Sequence, residues 1–106
     1  MVGPRQFDVH HIGSSRSGDA VDLAVILQDD ALSDLPTRIA APVIAVDERY
    51  DLDRLTVPVT IDGVRYIVAI HLLATLPVRA IGRKFAEIGE HERKIKSALD
   101  LLFFGV

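Results

Sequence analysis

The side chains able to do chemistry are scattered along this chain. There are four histidines, His10, His11, His71 and His91. His10 and His11 are neighbours on a stretch that alternates like a strand, so they should point to opposite faces. His71 lies in an apolar run and is expected to be a hydrogen-bonded core or interface residue. No histidine spacing matches a metal-ligand pattern, so no metal or other cofactor is expected. Glu87, Glu90 and Glu92 have no nucleophile to work with. They read as the solvated start of a helix, where acidic groups suit the macrodipole. Ser14, Ser15, Arg16 and Ser17 read as a solvated hairpin loop, not a phosphate cradle. With no cysteine there is no thiol nucleophile and no disulfide. On these grounds no catalysis is expected. The tail is the unusual part: Leu101, Leu102, Phe103, Phe104, Gly105 and Val106 are apolar where chain ends are usually polar. Adjacent residues on a helix point about 100° apart, so one ring is expected inside and the other near the surface. An exposed aromatic followed by glycine suits an anchor in a partner's pocket. The alternative is a tail folded back into the core or a dimer seam.

These residues need a scaffold. Residues 6–12 and 20–27 alternate well enough for two strands, joined as an antiparallel hairpin across the polar loop 13–19. Residues 28–36 form an exposed acidic connection. Residues 39–46 read as a buried strand, with Pro42 demanding a bulge or an edge. Residues 47–54 are charged and turn-like. Residues 55–61 and 64–72 are rich in β-branched side chains, and Asp62-Gly63 between them is a strong hairpin signal. Pro58 assigns the first of these strands to an edge or a bulge, and residues 78–81 could add a short strand. Ile95, Ala98, Leu99 and Leu102 then recur at helical spacing. Glu90–Lys94 and Glu92–Lys96 are favourable pairs one turn apart, and Gly105 is suited to a left-handed cap. The expected class is mainly β with a C-terminal α-helix, as one domain over residues 1–106.

Composition narrows the partners. Hydrophobic residues make up 49% of the 106, high for so short a chain, and a symmetric dimer would cover the excess. A net charge of −3 argues against non-specific binding to nucleic acid, which needs a basic face. The start has no apolar leader and the longest apolar run is too short to span a bilayer, so no membrane contact and a cytoplasmic location are expected.

The residues from Pro77 to Val106 resemble the C-terminal segment of the CcdB toxins, which end in an aromatic-Gly-aliphatic triplet after a helix of this length and pattern. The likeness continues more weakly through Gln6-Phe7, the acidic loop at residues 28–36, and Arg38 with Pro42. It implies a small barrel-like antiparallel β-sheet fold of the type shared with MazF toxins. It also implies a homodimer that poisons DNA gyrase by binding the A subunit and trapping the enzyme on cleaved DNA. A cognate antitoxin with a disordered, acidic tail would neutralise it. Carried over by position, the gyrase contact falls on Phe104, Gly105 and Val106, with Asp100, Phe103, Gln6, Phe7, Asp30, Ala31 and Leu32. The antitoxin contact falls on His10, Glu92 and Arg16. Phe104 stands where the family has tryptophan, a stronger cation–π partner. Asp100 replaces an asparagine, and His10 a tyrosine. These departures raise the alternative of an interaction protein with a weakened or altered target. An endoribonuclease of the MazF type is the other alternative. Its Arg-Gly-Asp opening and Gly-Arg-Arg-Pro segment do not occur here.

Overall fold

The computed structural model describes residues 3–13 and 22–106. Among these residues seven strands precede one helix: β1 (Asp8–Ile12), β2 (Leu23–Ile26), β3 (Thr37–Ala45), β4 (Thr56–Ile61), β5 (Val64–Ala69), β6 (Ala74–Pro77), β7 (Ile81–Glu87) and α1 (Glu92–Phe104). All strand pairs are antiparallel. The order is β4-β5-β3-β2-β1-β7, and β6 pairs with the first half of β3. Among the described residues β4 and β7 do not pair, so the sheet stays open and the barrel is incomplete. The expected antiparallel sheet followed by a C-terminal helix is the architecture found.

β2 shows how the sheet is held. Its four residues are all buried. Leu23 and Val25 face the main core with Val9, while Ala24 and Ile26 face a second, smaller cluster with Ala40. Alternation thus feeds two apolar layers, one on each face. At the β4–β5 turn, Asp62 (φ 51°) and Gly63 (φ 79°) are both left-handed, as a tight two-residue hairpin requires. β4 lies at the sheet edge, where Pro58 loses no ladder bond. Pro42 departs from expectation, because it occupies a central strand in unbroken register with Ala24. On its other side, pairing with β6 ends at Ala40 and pairing with β5 begins at Val43. The missing N–H falls in that gap.

Three other expectations are corrected. Of residues 78–81 only Ile81 is in a strand: Val78–Ala80 is a 3-10 turn, and the strand β7 begins at Ile81 against β1. His71 is not a core residue. The chain leaves β5 at Ala69 and turns outward through the 3-10 segment Ile70–Leu72, which leaves His71 exposed. The first strand starts at Asp8 because Phe7 takes a left-handed φ of 67°.

α1 forms as its periodicity predicts. Ile95 and Ala98 are buried, and Leu99 and Leu102 pack against the same core. Burying Ile95 contributes about 1.5–3 kcal/mol. Lys96 and Glu92 pair at 2.7 Å. The Glu90–Lys94 pair does not form, because Glu90 belongs to the 3-10 turn Gly89–His91 before the helix.

Candidate functional site

The helix ends abruptly. Gly105 takes φ 76° and its N–H donates to the Leu101 carbonyl at 3.0 Å, closing the last turn. Beyond the buried stripe, Phe103 is 61% exposed, Phe104 77% and Val106 86%. The two rings lie 6.5 Å apart, tilted by 56°. Neither ring is inside, contrary to the expectation that one would be. A capped helix pinned by Ile95 and Ala98 therefore carries an apolar tip into solvent, and the tail does not fold back into the core of its own chain.

The acidic loop and the N-terminal segment are joined to each other. The Gln6 backbone N–H donates to Asp30 Oδ1 at 2.8 Å, and its side-chain amide donates to the Leu27 carbonyl at 2.9 Å. Arg5 Nε lies 3.6 Å from Asp30 Oδ2. Asp29 caps the 3-10 turn Asp30–Leu32 by accepting the Ala31 N–H. Ala31 and Leu32 are exposed on that turn. Lys96 is held above its ordinary pKa first by its hydrogen bond to Glu92, and the charge of Asp29 adds to this. Thus α1 and the loop feel each other's charges. Asp100 lines a shallow depression on α1 with Lys96 and Ser97.

Phe7 belongs elsewhere. Its ring is 7% exposed and sits in the core with Ile95 and Ala98. Its N–H donates to the Ile26 carbonyl at 2.7 Å, and its carbonyl accepts the Ile88 N–H at 3.0 Å. Bonds on both sides hold a backbone shape that costs about 1–2 kcal/mol for a bulky residue. Phe7 is therefore a core residue and offers no ring to a partner. Of the residues assigned to an antitoxin, Glu92 is exposed on α1. His10 is buried, its Nδ1 within 2.9 Å of the Gly82 carbonyl and its Nε2 without a partner among the described residues. Arg16 lies outside the described residues.

Sequence reasoning missed two features. One is an ion cluster beside Gln6: Lys84 Nζ is 3.6 Å from the buried Asp8 and also pairs with Glu87. The Lys84 hydrogen bond, then its charge, hold Glu87 below its ordinary value, while Glu87 raises Lys84. The other is a groove of about 700 Å³ across β1, β2, β3 and β5. It is mostly apolar, with His11, Asp22 and Tyr66 as its polar groups. Phe85 takes His11 edge-on at 5.5 Å and Tyr66 edge-on at 6.2 Å. The sequence gives no sign of this groove, because the strand bearing Phe85 is not legible in it.

Comparison with known proteins fits this geometry. The family described as "CcdB protein" matches residues 6–105. The chain belongs to the CcdB family. As a CcdB-family chain it shares its fold with solved toxins. A Mycobacterium tuberculosis toxin is 20% identical with a TM-score of 0.71, covering 90% of this chain and 99% of its own. A mycobacterial endoribonuclease in complex with its cognate antitoxin is 14% identical with a TM-score of 0.76, covering 94% of each chain. The Mycobacterium tuberculosis toxin MazF-mt6 is 19% identical with a TM-score of 0.70, covering 91% of this chain and 95% of its own. No curated protein matches the sequence.

These likenesses correct one expectation. The absence of catalysis was inferred from a lack of nucleophile and pocket in the sequence. The same fold serves endoribonucleases, and the CcdB-family chain does contain a groove with an imidazole, a carboxylate and a phenol at its wall. The conclusion that the chain performs no catalysis does not stand.

Proposed function

We propose that this CcdB-family chain is the toxin of a toxin–antitoxin pair and that it binds the DNA gyrase A subunit, trapping the enzyme on cleaved DNA. The observation that carries this reading is the apolar tip: Phe103, Phe104 and Val106 stand exposed at the end of a rigid, capped helix. Exposed aromatic surface on a pre-ordered element is what a pocket-filling anchor needs, since little entropy is lost on docking. Gly105 sets the angle of the tip. Gln6, Asp30, Ala31 and Leu32 supply the polar flank, and Asp100 the nearest charge on the helix. Two copies joined as a homodimer would present two tips to a two-fold target. The antitoxin partner, with its acidic and apolar tail, would meet the exposed basic and apolar groups around α1. The action belongs in the cytoplasm, where gyrase works. Titrating the purified chain against the gyrase A subunit tests the reading. Phe104→Trp should tighten binding, because indole is the larger ring and the better cation–π partner. Saturable binding lost on removing residues 104–106 supports the reading; no binding by folded protein sinks it.

The groove favours a second reading, cleavage of RNA. Removing a 2′-hydroxyl proton needs a base of suitable pKa within reach, and His11 is the imidazole at the groove wall. Incubation of RNA with the chain and with His11→Ala tests it: cleavage lost in the variant supports this reading, and intact RNA with both removes it.

A further inference from the structure

Arg38, the second residue of β3, is 3% exposed. Among the described residues no carboxylate pairs with it. Its guanidinium donates instead to four backbone carbonyls. Nε reaches Pro4 at 3.3 Å, Nη1 reaches Leu35 at 2.8 Å and Thr37 at 3.0 Å, and Nη2 reaches Ser33 at 3.1 Å. Burying a cation is costly, and it is usually offset by an opposite charge. Here charge-assisted bonds to carbonyls provide the offset. The carbonyls share one property: three of them, Pro4, Ser33 and Leu35, belong to segments outside every strand. No strand ladder reaches those groups, and each bond to the guanidinium ties its segment to β3.

The same segments carry Gln6, Asp30, Ala31 and Leu32, the residues proposed above as the polar flank. Gln28 works alongside Arg38: its amide donates to the Leu32 and Thr37 carbonyls, and its oxygen accepts the Ile39 N–H. The N-terminal segment is then closed onto the loop by the Gln6 N–H bond to Asp30. Only a planar fork with five donors can span this set, which lysine, with one ammonium, cannot.

We infer that Arg38 is a positioning residue: it clamps the N-terminal segment and the acidic loop together, so that Gln6, Asp30, Ala31 and Leu32 form one composite recognition surface. The identity of the partner for that surface rests on the gyrase reading above; the clamp does not. Without Arg38 the loop loses the donors for Ser33 and Leu35, and the N-terminal segment loses its tie at Pro4.

Hydrogen–deuterium exchange of the full chain, with gyrase A binding by the same samples, tests the clamp. In Arg38→Lys, amide exchange in residues 29–36 should quicken about tenfold, while β1–β5 keep their protection. Affinity for the gyrase A subunit, corrected for folded fraction, should fall by a similar factor. Gly3→Ala is a gentler variant, useful if Arg38→Lys does not fold. Its new Cβ would lie 3.1 Å from Arg38 Nη2 and should displace the guanidinium, giving a smaller rise in the same loop. Val59→Ala, a core change away from the loop, should lower overall stability without selectively loosening residues 29–36. Unchanged loop exchange in both Arg38→Lys and Gly3→Ala overturns the clamp. A uniform rise across the sheet overturns positioning in favour of general stability. Fast loop exchange with undiminished gyrase affinity overturns the loop's part in recognition. If the unaltered chain does not bind gyrase, the gyrase reading fails while the exchange result still decides the clamp.

Discussion

The helix tip and the groove are both apolar, yet they are built in opposite ways. The tip is convex: two rings and a valine stand in solvent on the end of a helix whose other face is buried. The groove is concave, its wall made of residues that also pack the sheet, with Tyr66 and Phe85 touching the main core. Changing the tip should therefore alter recognition with little effect on folding, because its side chains contact solvent. Changing the groove should alter folding as well. A protein that must seize a partner benefits from this separation, since the anchor can vary without loss of the scaffold.

Crossed substitutions sharpen the contrast most. Phe85→Ala should cost about 2 kcal/mol in a denaturant titration, because a half-buried ring bridging His11 and Tyr66 is removed. Its folded fraction should bind gyrase A as the unaltered chain does. Phe104→Ala should stay within about 0.5 kcal/mol of the unaltered stability. Its gyrase affinity should drop by about tenfold or more. A large stability loss from Phe104→Ala would break the comparison, because the tip would then be part of a packed interior.

Gly105→Ala probes the joint between the two roles. Space around this glycine is open, so the penalty is purely its left-handed φ of 76°. It should cost about 1 kcal/mol and lower Tm by about 4–8 °C. A Tm unchanged within error would mean the helix end relaxes freely, and that the tip is not rigidly held.

Much of this was legible in the sequence where the signal was local. The stripe of α1 follows from spacing alone, and Asp62-Gly63 announced its turn because few residue pairs accept positive φ. β7 was not legible: Gly82, Arg83 and Lys84 interrupt its apolar alternation, and only pairing with β1 makes it a strand. His71 is not a core residue because period-two logic fails once the chain leaves the sheet. The left-handed Phe7 and the Arg38 clamp depend on contacts with residues distant in sequence, which periodicity cannot reveal. At the site, the exposed tail was partly read. The family likeness names Gln6 and Asp30 as parts of one surface but not the bond between them, and the groove is not legible at all.

The smallest expected effect lies in the ion cluster beside the site. Glu87 is held below its ordinary 4.5, so its pair with Lys84 contributes stability above that value and loses it as pH falls through the lowered one. Lys84 is held above its ordinary 10.5, so its share is present at neutral pH and lost only at higher pH. Glu87→Gln should therefore flatten the acid limb of the stability curve, below the ordinary carboxylate value of 4.5. Both side chains are well exposed, so the change should be slight. An acid limb as steep as before would assign that slope to other carboxylates.

The most direct test of the central claim is a DNA-cleavage assay with the host's gyrase, comparing the full chain with one lacking Phe104, Gly105 and Val106. The account predicts linear DNA that accumulates with dose for the full chain and none for the truncated one, with both folded. Equal cleavage by the two chains, or none by the full chain, would contradict it.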